Sequence, residues 1–225
     1  MGQAIGQVLS FGVGVALSPL PIIAVVLMLA TPKGRVNGLA FLVGWVLGIA
    51  VLGAIVLLVA GGASASRHGA PATWVSILKI VLGVLLVLLA VKEWRGRPRG
   101  DSQPGLPSWM KAVDTFTPVR STALGVGLSA VQPKNGLLVV GAAAAIAQTG
   151  AGAASQAVAL GVFIVIATLG VGAPVAIYYL AGHRATKILG ELHDWMAREN
   201  ATIMAVLCLI IGAKLIGDAI VTLAG

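Results

Sequence analysis

The stretch ALSPLPIIAVVLMLATPKGR, residues 16–35, places two prolines inside an apolar run long enough to cross a bilayer. A second stretch, LGVGLSAVQPKNGLLVVG at 124–141, also carries a proline in mid-span, followed here by a lysine and an asparagine. Proline removes a backbone donor and frees a carbonyl group one turn earlier. In lipid such freed groups need partners, so a broken membrane helix persists only against protein or a wet cavity.

The composition is that of an integral membrane protein. Of the 225 residues, 58% are hydrophobic and only 10% are charged, whereas a soluble domain carries about 25% charged residues. The apolar residues come in blocks of the length that a membrane helix needs, roughly 20 residues. We therefore expect an all-α membrane protein with six transmembrane helices. They are predicted at about 3–30, 36–61, 73–93, 121–147, 154–181 and 199–223.

The Lys and Arg residues are strongly biased to one side of this arrangement. Eleven of them fall in the loops that follow the first, third and fifth helices, and only Arg67 falls on the opposite side. Because cytoplasmic loops carry the excess of Lys and Arg, this bias predicts that both termini lie outside the cytoplasm. The net charge of +8 is thus spread over loops between spans, so nucleic acid is not an expected partner.

Short motifs recur in the two halves of the chain. A Gly-Val-Gly motif precedes the proline step in each predicted broken helix, and Gly83 lies in a context like that of Gly212. Two copies of a three-helix unit must have opposite orientations in the membrane, because three is an odd number of spans. That inverted-repeat plan is found in many secondary transporters, which place their substrate site near the midplane, where helices are interrupted.

These observations divide the chain into two three-helix repeats joined by a basic linker. The linker is rich in Gly, Pro and Arg, and its residues 108–116, like the later segment 183–200, are either a short interfacial helix or a solvated loop. The predicted organisation is a first repeat at 1–94, a cytoplasmic linker at 95–120, and a second repeat at 121–225 that contains an interfacial segment at 183–200.

Polar residues and prolines around the two predicted breaks form the candidate substrate site, because paired breaks would face each other in the core. These residues are Ser18, Pro19, Pro21, Ser129, Gln132, Pro133, Lys134 and Asn135. Lys134 follows the second break at a depth that leaves little room to reach water. We therefore expect its ammonium group to contact substrate or to form an ion pair.

Three further charged residues lie within the predicted spans. Lys79 is about two turns from a helix end and could extend its ammonium group to the interface. Lys214 and Asp218 are four residues apart on one helix face, so a simple neutralising pair is one interpretation of them. The other is that Asp218 takes up a proton when a lysine moves away, which would couple transport to protons.

The sequence contains no pattern of catalytic or metal-binding residues. It has a single cysteine, Cys208, and no group of His, Cys or acidic residues at the spacing of metal ligands. We therefore predict neither an enzyme nor a bound cofactor or metal.

The motifs at the two breaks are similar to those of the LysE superfamily of small bacterial exporters. Members resemble two inverted three-helix units with a proline-containing break in helix 1, a glycine ladder in helix 2 and an Asn-Pro-Lys-like element in helix 4. Their counterparts here are Ser18-Pro19-Leu20-Pro21, the glycines Gly34, Gly38, Gly44 and Gly48, and Gln132-Pro133-Lys134, with glutamine where asparagine is usual.

Within that superfamily, the basic third loop with LPSWMKAVD at 106–114 resembles the GAP branch, also called Sap or sulfolipid-addressing proteins, of actinobacteria. The resemblance implies a multi-pass protein of the bacterial plasma membrane that exports a glycolipid-like substrate. Membrane lipids are then expected partners, and a larger lipid-export machinery would fit the same role. Glycine-rich helix faces would also allow a homodimer.

The leading hypothesis is a secondary exporter that moves a lipid-linked or amphipathic molecule out of the cytoplasm or the inner leaflet by alternating access. Two alternatives keep the fold: an exporter of an amino acid or inorganic ion, and a non-transporting scaffold of a lipid-export complex. A large apolar lateral opening would favour a lipid substrate, and a small closed polar pocket would favour an ion.

Overall fold

The computed structural model describes residues 2–62, 66–67, 70–71, 73–97, 113 and 115–224. Within these ranges the chain is helical apart from two short strands. The helices are α1 (Gly2–Ala16), α2 (Pro19–Leu29), α3 (Gly34–Gly62), α4 (Thr73–Gly96), α5 (Pro118–Val126), α6 (Pro133–Gln148), α7 (Ala153–Leu180) and α8 (Ala185–Ala224). Strands β1 (Ser66–Arg67) and β2 (Ala70–Pro71) pair antiparallel between α3 and α4.

The helices have the lengths and the apolar surfaces of membrane spans. Four are long and apolar enough to cross a membrane, and two bent pairs raise the number to as many as six if each pair is one span. The first pair, α1 with α2, is bent by 44°, and the second, α5 with α6, by 62°. Many large apolar side chains point outward from the bundle, as expected where lipid is the solvent. The prediction of an all-α membrane protein is therefore confirmed.

Proline begins the helix that follows each break. Pro19 is the first residue of α2 and Pro133 is the first residue of α6. At this position the missing N–H group costs nothing, because the first turn has no intrahelical acceptor for it. The sequence therefore restarts a helix at each proline, and the two long apolar stretches become bent pairs.

Two parts of the predicted organisation differ from the structure or lie outside its described residues. α8 runs without a break through the position where we expected a surface segment to give way to the last span. Its 40 residues correspond to about 60 Å, roughly twice the hydrocarbon thickness of a bilayer. Most of the linker, including six of the nine residues of the predicted helix at 108–116, lies outside the described residues.

Helix packing pairs elements from the two halves of the chain. α1 packs on α7, α3 packs on α5, and α4 packs along α8. α6 runs through the centre, where its consecutive alanines from Ala142 to Ala145 are fully buried. Small side chains let the backbones of neighbouring helices approach closely, which is how helices associate in lipid.

The second bent pair passes from one end of the bundle to the other. Just before α5 begins, the backbone carbonyl of Phe116 accepts a 2.9 Å hydrogen bond from Asn37 in the first turn of α3. At the far end of the pair, Gln148 accepts a hydrogen bond from Lys79 near the start of α4. In the same region, Ala144 and Ala147 of α6 belong to one apolar cluster with Ala60, near the end of α3. The pair therefore runs along α3, from its first turn to its last turns.

Candidate functional site

The two breaks meet inside the bundle through a hydrogen-bonded group of polar side chains. The Ser18 hydroxyl donates to Asn135 Oδ1 at 2.9 Å, and Lys134 Nζ donates to Ser18 Oγ at 3.1 Å. Asn135 Nδ2 also donates to Gln132 Oε1 at 2.8 Å. Ser18, Gln132, Lys134 and Asn135 are called the break cluster below. Residues more than 110 positions apart in the sequence are thus brought into contact at the point where both helices are interrupted.

At the second break, local backbone geometry places Lys134 and Asn135. α5 ends in a π-helical turn, Gly127–Val131, in which the Gln132 amide reaches back to the Gly127 carbonyl at 2.8 Å. The break leaves carbonyl groups without their usual helical donors. Asn135 Nδ2 donates a 2.8 Å hydrogen bond to one of these carbonyls, that of Leu128. Wider turns of this kind are often found at functional sites.

At the first break, the Ser18 side chain bonds across the break and does not cap its own helix. It occupies the N-cap position of α2, where a serine side chain normally accepts a hydrogen bond from its own helix. Its side chain makes no such bond here and instead joins Lys134 and Asn135 across the break. The hydroxyl therefore ties the two halves of the chain together at the expense of a local cap.

The break cluster carries one uncompensated positive charge. Lys134 is only 2% exposed, and no ion pair joins it to a carboxylate in the part of the chain that the structure describes. Its ammonium group has three donor hydrogens, of which the Ser18 hydroxyl takes one. The expected ion pair of Lys134 is therefore not formed within the described residues, and its ammonium group can still donate to another acceptor.

The prolines of the two breaks lie in different surroundings. Pro19 and Pro21 are buried, whereas Pro133 is exposed on the side of the bundle. Ser129 is buried beside the second break, and its hydroxyl donates to the Val126 carbonyl at 3.2 Å. Pro133 therefore lies outside the hydrogen-bonded group, although the next residue in the chain belongs to it.

An open apolar groove of about 480 Å³ runs beside Pro133 between α4 and α6. Its walls are leucines, a glycine and the proline, and Lys92 on the last turns of α4 lies at its margin. The lining residues are Leu85, Leu88, Leu89, Lys92, Pro133, Gly136 and Leu137. The groove opens to the side of the bundle, and its shape and lining suit a hydrocarbon chain.

The predicted proton-coupling pair lies apart from the break cluster. Lys214 Nζ contacts Asp218 Oδ2 at 2.7 Å, and the two side chains are 41% and 42% exposed. Among the described residues, neither of them is hydrogen-bonded to a member of the break cluster. The structure thus shows the neutralising pair and does not bring it to the second break.

Lys79 was expected to extend to the interface, and the structure corrects that expectation. Its side chain is 3% exposed and donates a hydrogen bond to Gln148 Oε1 at the end of α6. The cause is tertiary packing, because the end of α6 contacts Lys79 through Gln148 and α8 packs along α4. The sequence of α4 alone could not show which other helices would cover Lys79.

The family comparison covers almost the whole chain. The family model described as Sap, sulfolipid-1-addressing protein, matches residues 8–221. No curated protein and no solved structure is significantly similar to the chain. The match spans both bent pairs, the break cluster and the groove, and the chain therefore belongs to the Sap, sulfolipid-1-addressing protein, family.

Proposed function

We propose that this protein is a secondary transporter that moves a glycolipid-like, amphipathic substrate out of the cytoplasm or the inner leaflet by alternating access. The family assignment supports a role in the handling of membrane lipids. The proposal adds a route: the lipid chain occupies the groove beside Pro133, and the polar head group reaches the break cluster when the two breaks move apart during alternating access.

The observation that carries this proposal is a side-opening apolar groove lined by Pro133, the residue before the buried Lys134, to which the described residues offer no ion pair. A transporter of amino acids or small ions needs a closed polar pocket, whereas a lipid needs lateral entry for its chain and polar contacts for its head. The groove and Lys134 supply these two features from consecutive residues, because Pro133 lines the groove and Lys134 is buried. An anionic head group would supply the acceptor that Lys134 lacks within the described residues.

We further propose that the two halves form an inverted repeat of the LysE type. The packing of α1 on α7 mirrors that of α5 on α3, as a two-fold axis in the membrane plane requires. Gly83 and Gly212 add a reciprocal contact, because a Cβ atom on either would lie 2.8 Å from the carbonyl oxygen of the other. Such a contact between equivalent residues is expected where an axis passes between α4 and α8.

Transport is tested with the purified protein in liposomes that contain a fluorescently labelled sulfated galactolipid. A membrane-impermeant quencher reports how fast the label changes leaflet. We expect the wild-type protein to move the lipid and Leu88→Trp to be at least about tenfold slower, because an indole would fill the groove. Leu47→Trp, on the outward face of α3, is the matched control, since the two leucines are 48% and 58% exposed.

The outcomes separate the proposal from its alternatives. Equal rates for Leu88→Trp and Leu47→Trp would contradict a route through the groove. Folded wild-type protein that moves no lipid, with or without an imposed proton gradient, would contradict transport by this chain and favour the scaffold role.

Proton coupling by Asp218 belongs to the same proposal. If Asp218 takes up the coupling proton, Asp218→Asn should abolish the acceleration of lipid movement by a proton gradient and leave the rate without a gradient unchanged. The measurement is the ratio of the two rates in the liposome assay. A variant that keeps the wild-type ratio would show that Lys214 and Asp218 are only a neutralising pair.

A further inference from the structure

A second group of polar side chains is buried at the opposite end of α6, away from the break cluster. It comprises Trp74, Ser76, Lys79 and Gln148, and is called the Lys79 cluster. Ser76 is fully buried, and Lys79 and Gln148 are nearly so. Lys79 lies six residues after the start of α4, which places it about 9 Å along the helix axis. That depth is within reach of a lipid head group at this end.

The Lys79 cluster contains more hydrogen-bond donors than acceptors. Three further polar groups are buried without a hydrogen-bond partner among the residues that the structure describes: the hydroxyl of Ser76, the indole N–H of Trp74 and the amide nitrogen of Gln148. The ammonium group of Lys79 has three donor hydrogens, and Gln148 Oε1 accepts one of them. Buried donors without acceptors are costly, so an acceptor that fits among them would be bound favourably.

These donors are brought together by the packing of α4 and α6. The unpartnered amide nitrogen of Gln148 belongs to the same amide group that contacts Lys79. Ser76 precedes Lys79 by three residues and so shares its helix face. Trp74 packs against the apolar group that contains Ala144 and Ala147, on the turn of α6 that leads to Gln148.

The charge in this region is also unbalanced. Asp218 and Lys214 are close enough to act electrostatically on Lys79, but the Asp218 carboxylate is already bound to Lys214 at 2.7 Å. Within the described residues, no carboxylate forms an ion pair with Lys79. Two lysines and one aspartate leave one positive charge that the described side chains do not neutralise.

We propose that the Lys79 cluster binds the anionic oxygen group of a ligand, a sulfate, phosphate or carboxylate. A charged oxygen acceptor would pair with the ammonium group and take up the unused donors of Ser76 and Gln148. The ligand is either the head group of an anionic lipid or a free anion. Binding here does not require transport, so the proposal stands or falls separately from the proposed function.

Binding is measured by native mass spectrometry of the whole chain in zwitterionic nanodiscs. The probes are a sulfated galactolipid, its unsulfated counterpart and inorganic sulfate. We expect the sulfated lipid to bind wild-type protein roughly tenfold or more tightly than the unsulfated one, as one charged hydrogen bond would give. Because the proposed function also gives Lys134 an anionic ligand, the variants are compared in a Lys134→Met background, and there Lys79→Gln should abolish that preference. Lys187→Gln, which removes an exposed charge on α8, should keep it.

A second variant guards against loss of the fold. Gln148→Glu places a carboxylate beside Lys79 with little change of shape, so we expect a raised Tm and loss of the sulfate preference together. Competition by inorganic sulfate would show that a free anion is accepted, and its failure to compete would identify the lipid head group as the ligand. Equal binding of the two lipids by wild type, or an unchanged preference in Lys79→Gln or Gln148→Glu, would overturn the proposal.

Discussion

At the scale of single residues, Lys134 and Asn135 are neighbours in the chain but have different tasks in the break cluster. Lys134 has one hydrogen bond and no described ion pair, so its charge is costly to the fold. Asn135 accepts from Ser18 and donates to Leu128 and Gln132, so it holds both breaks in place. Substitutions should therefore separate ligand binding from structural support.

Replacing Lys134 should keep the fold and remove transport. A charged side chain within a span costs roughly 2.5–3.5 kcal/mol on insertion scales. Lys134→Met removes that cost and keeps a side chain of similar length. We expect an unchanged or higher Tm in detergent and at least a tenfold slower lipid movement in liposomes. Lys187→Met, at an exposed position on α8, is the control for charge. A Lys134→Met protein with wild-type flux would show that the ammonium group does not contact substrate.

Replacing Asn135 should have the opposite signature. Asn135→Leu removes the side-chain donor of the Leu128 carbonyl and the acceptor of the Ser18 hydroxyl proton. Each buried polar group left unpaired costs about 1–3 kcal/mol, so Tm should fall clearly. A thermal scan in detergent checks this, with Asn200→Leu on α8 as the matched asparagine. An Asn135→Leu protein as stable as wild type would mean that the breaks hold without this side chain.

At the scale of elements, the prolines predict where helices restart, because a proline fits the first turn of a helix and not its interior. The sequence therefore anticipates both breaks and most helix ends. It does not anticipate the π-helical turn or the unbroken course of α8, because these depend on which carbonyls and which neighbours surround each backbone. For the same reason the sequence selects the polar residues of the break cluster but misses the burial of Lys79 and the exposure of Pro133.

The packing of α3 on α5 gives a prediction at this scale. A Cβ atom at Gly44 would clash with the Thr122 carbonyl, a backbone group that cannot turn away. We expect Gly44→Ala to lower the stability by about 1–3 kcal/mol through overpacking, seen as a lower Tm. Gly161→Ala on α7 is the matched control, because a Cβ atom there meets nothing within 4 Å. Alanine is a better helix former than glycine, so the Tm of Gly161→Ala should stay the same or rise. Equal effects of both variants would contradict the close approach of α3 and α5.

At the scale of the whole molecule, the number of spans depends on whether the second bent pair crosses the membrane. Its bend of 62° deflects the chain without reversing it. Its two ends lie at opposite ends of α3, because Phe116 bonds to Asn37 in the first turn and Ala147 shares an apolar cluster with Ala60 near the last. A crossing pair gives six spans, whereas a re-entrant pair would return the chain to the side from which it came.

Cysteine labelling distinguishes these two topologies. In a Cys208→Ala background, Gly96→Cys, Gly152→Cys and Gly190→Cys each add a thiol where a Cβ atom meets nothing within 4 Å. If the second pair crosses, Gly96→Cys and Gly190→Cys report one side and Gly152→Cys the other. The bias of Lys and Arg predicts that position 152 lies outside the cytoplasm. An impermeant maleimide added to intact cells should therefore label only Gly152→Cys. Labelling of Gly96→Cys together with Gly152→Cys would make the pair re-entrant and contradict the inverted repeat, because the two three-helix units could no longer have opposite orientations.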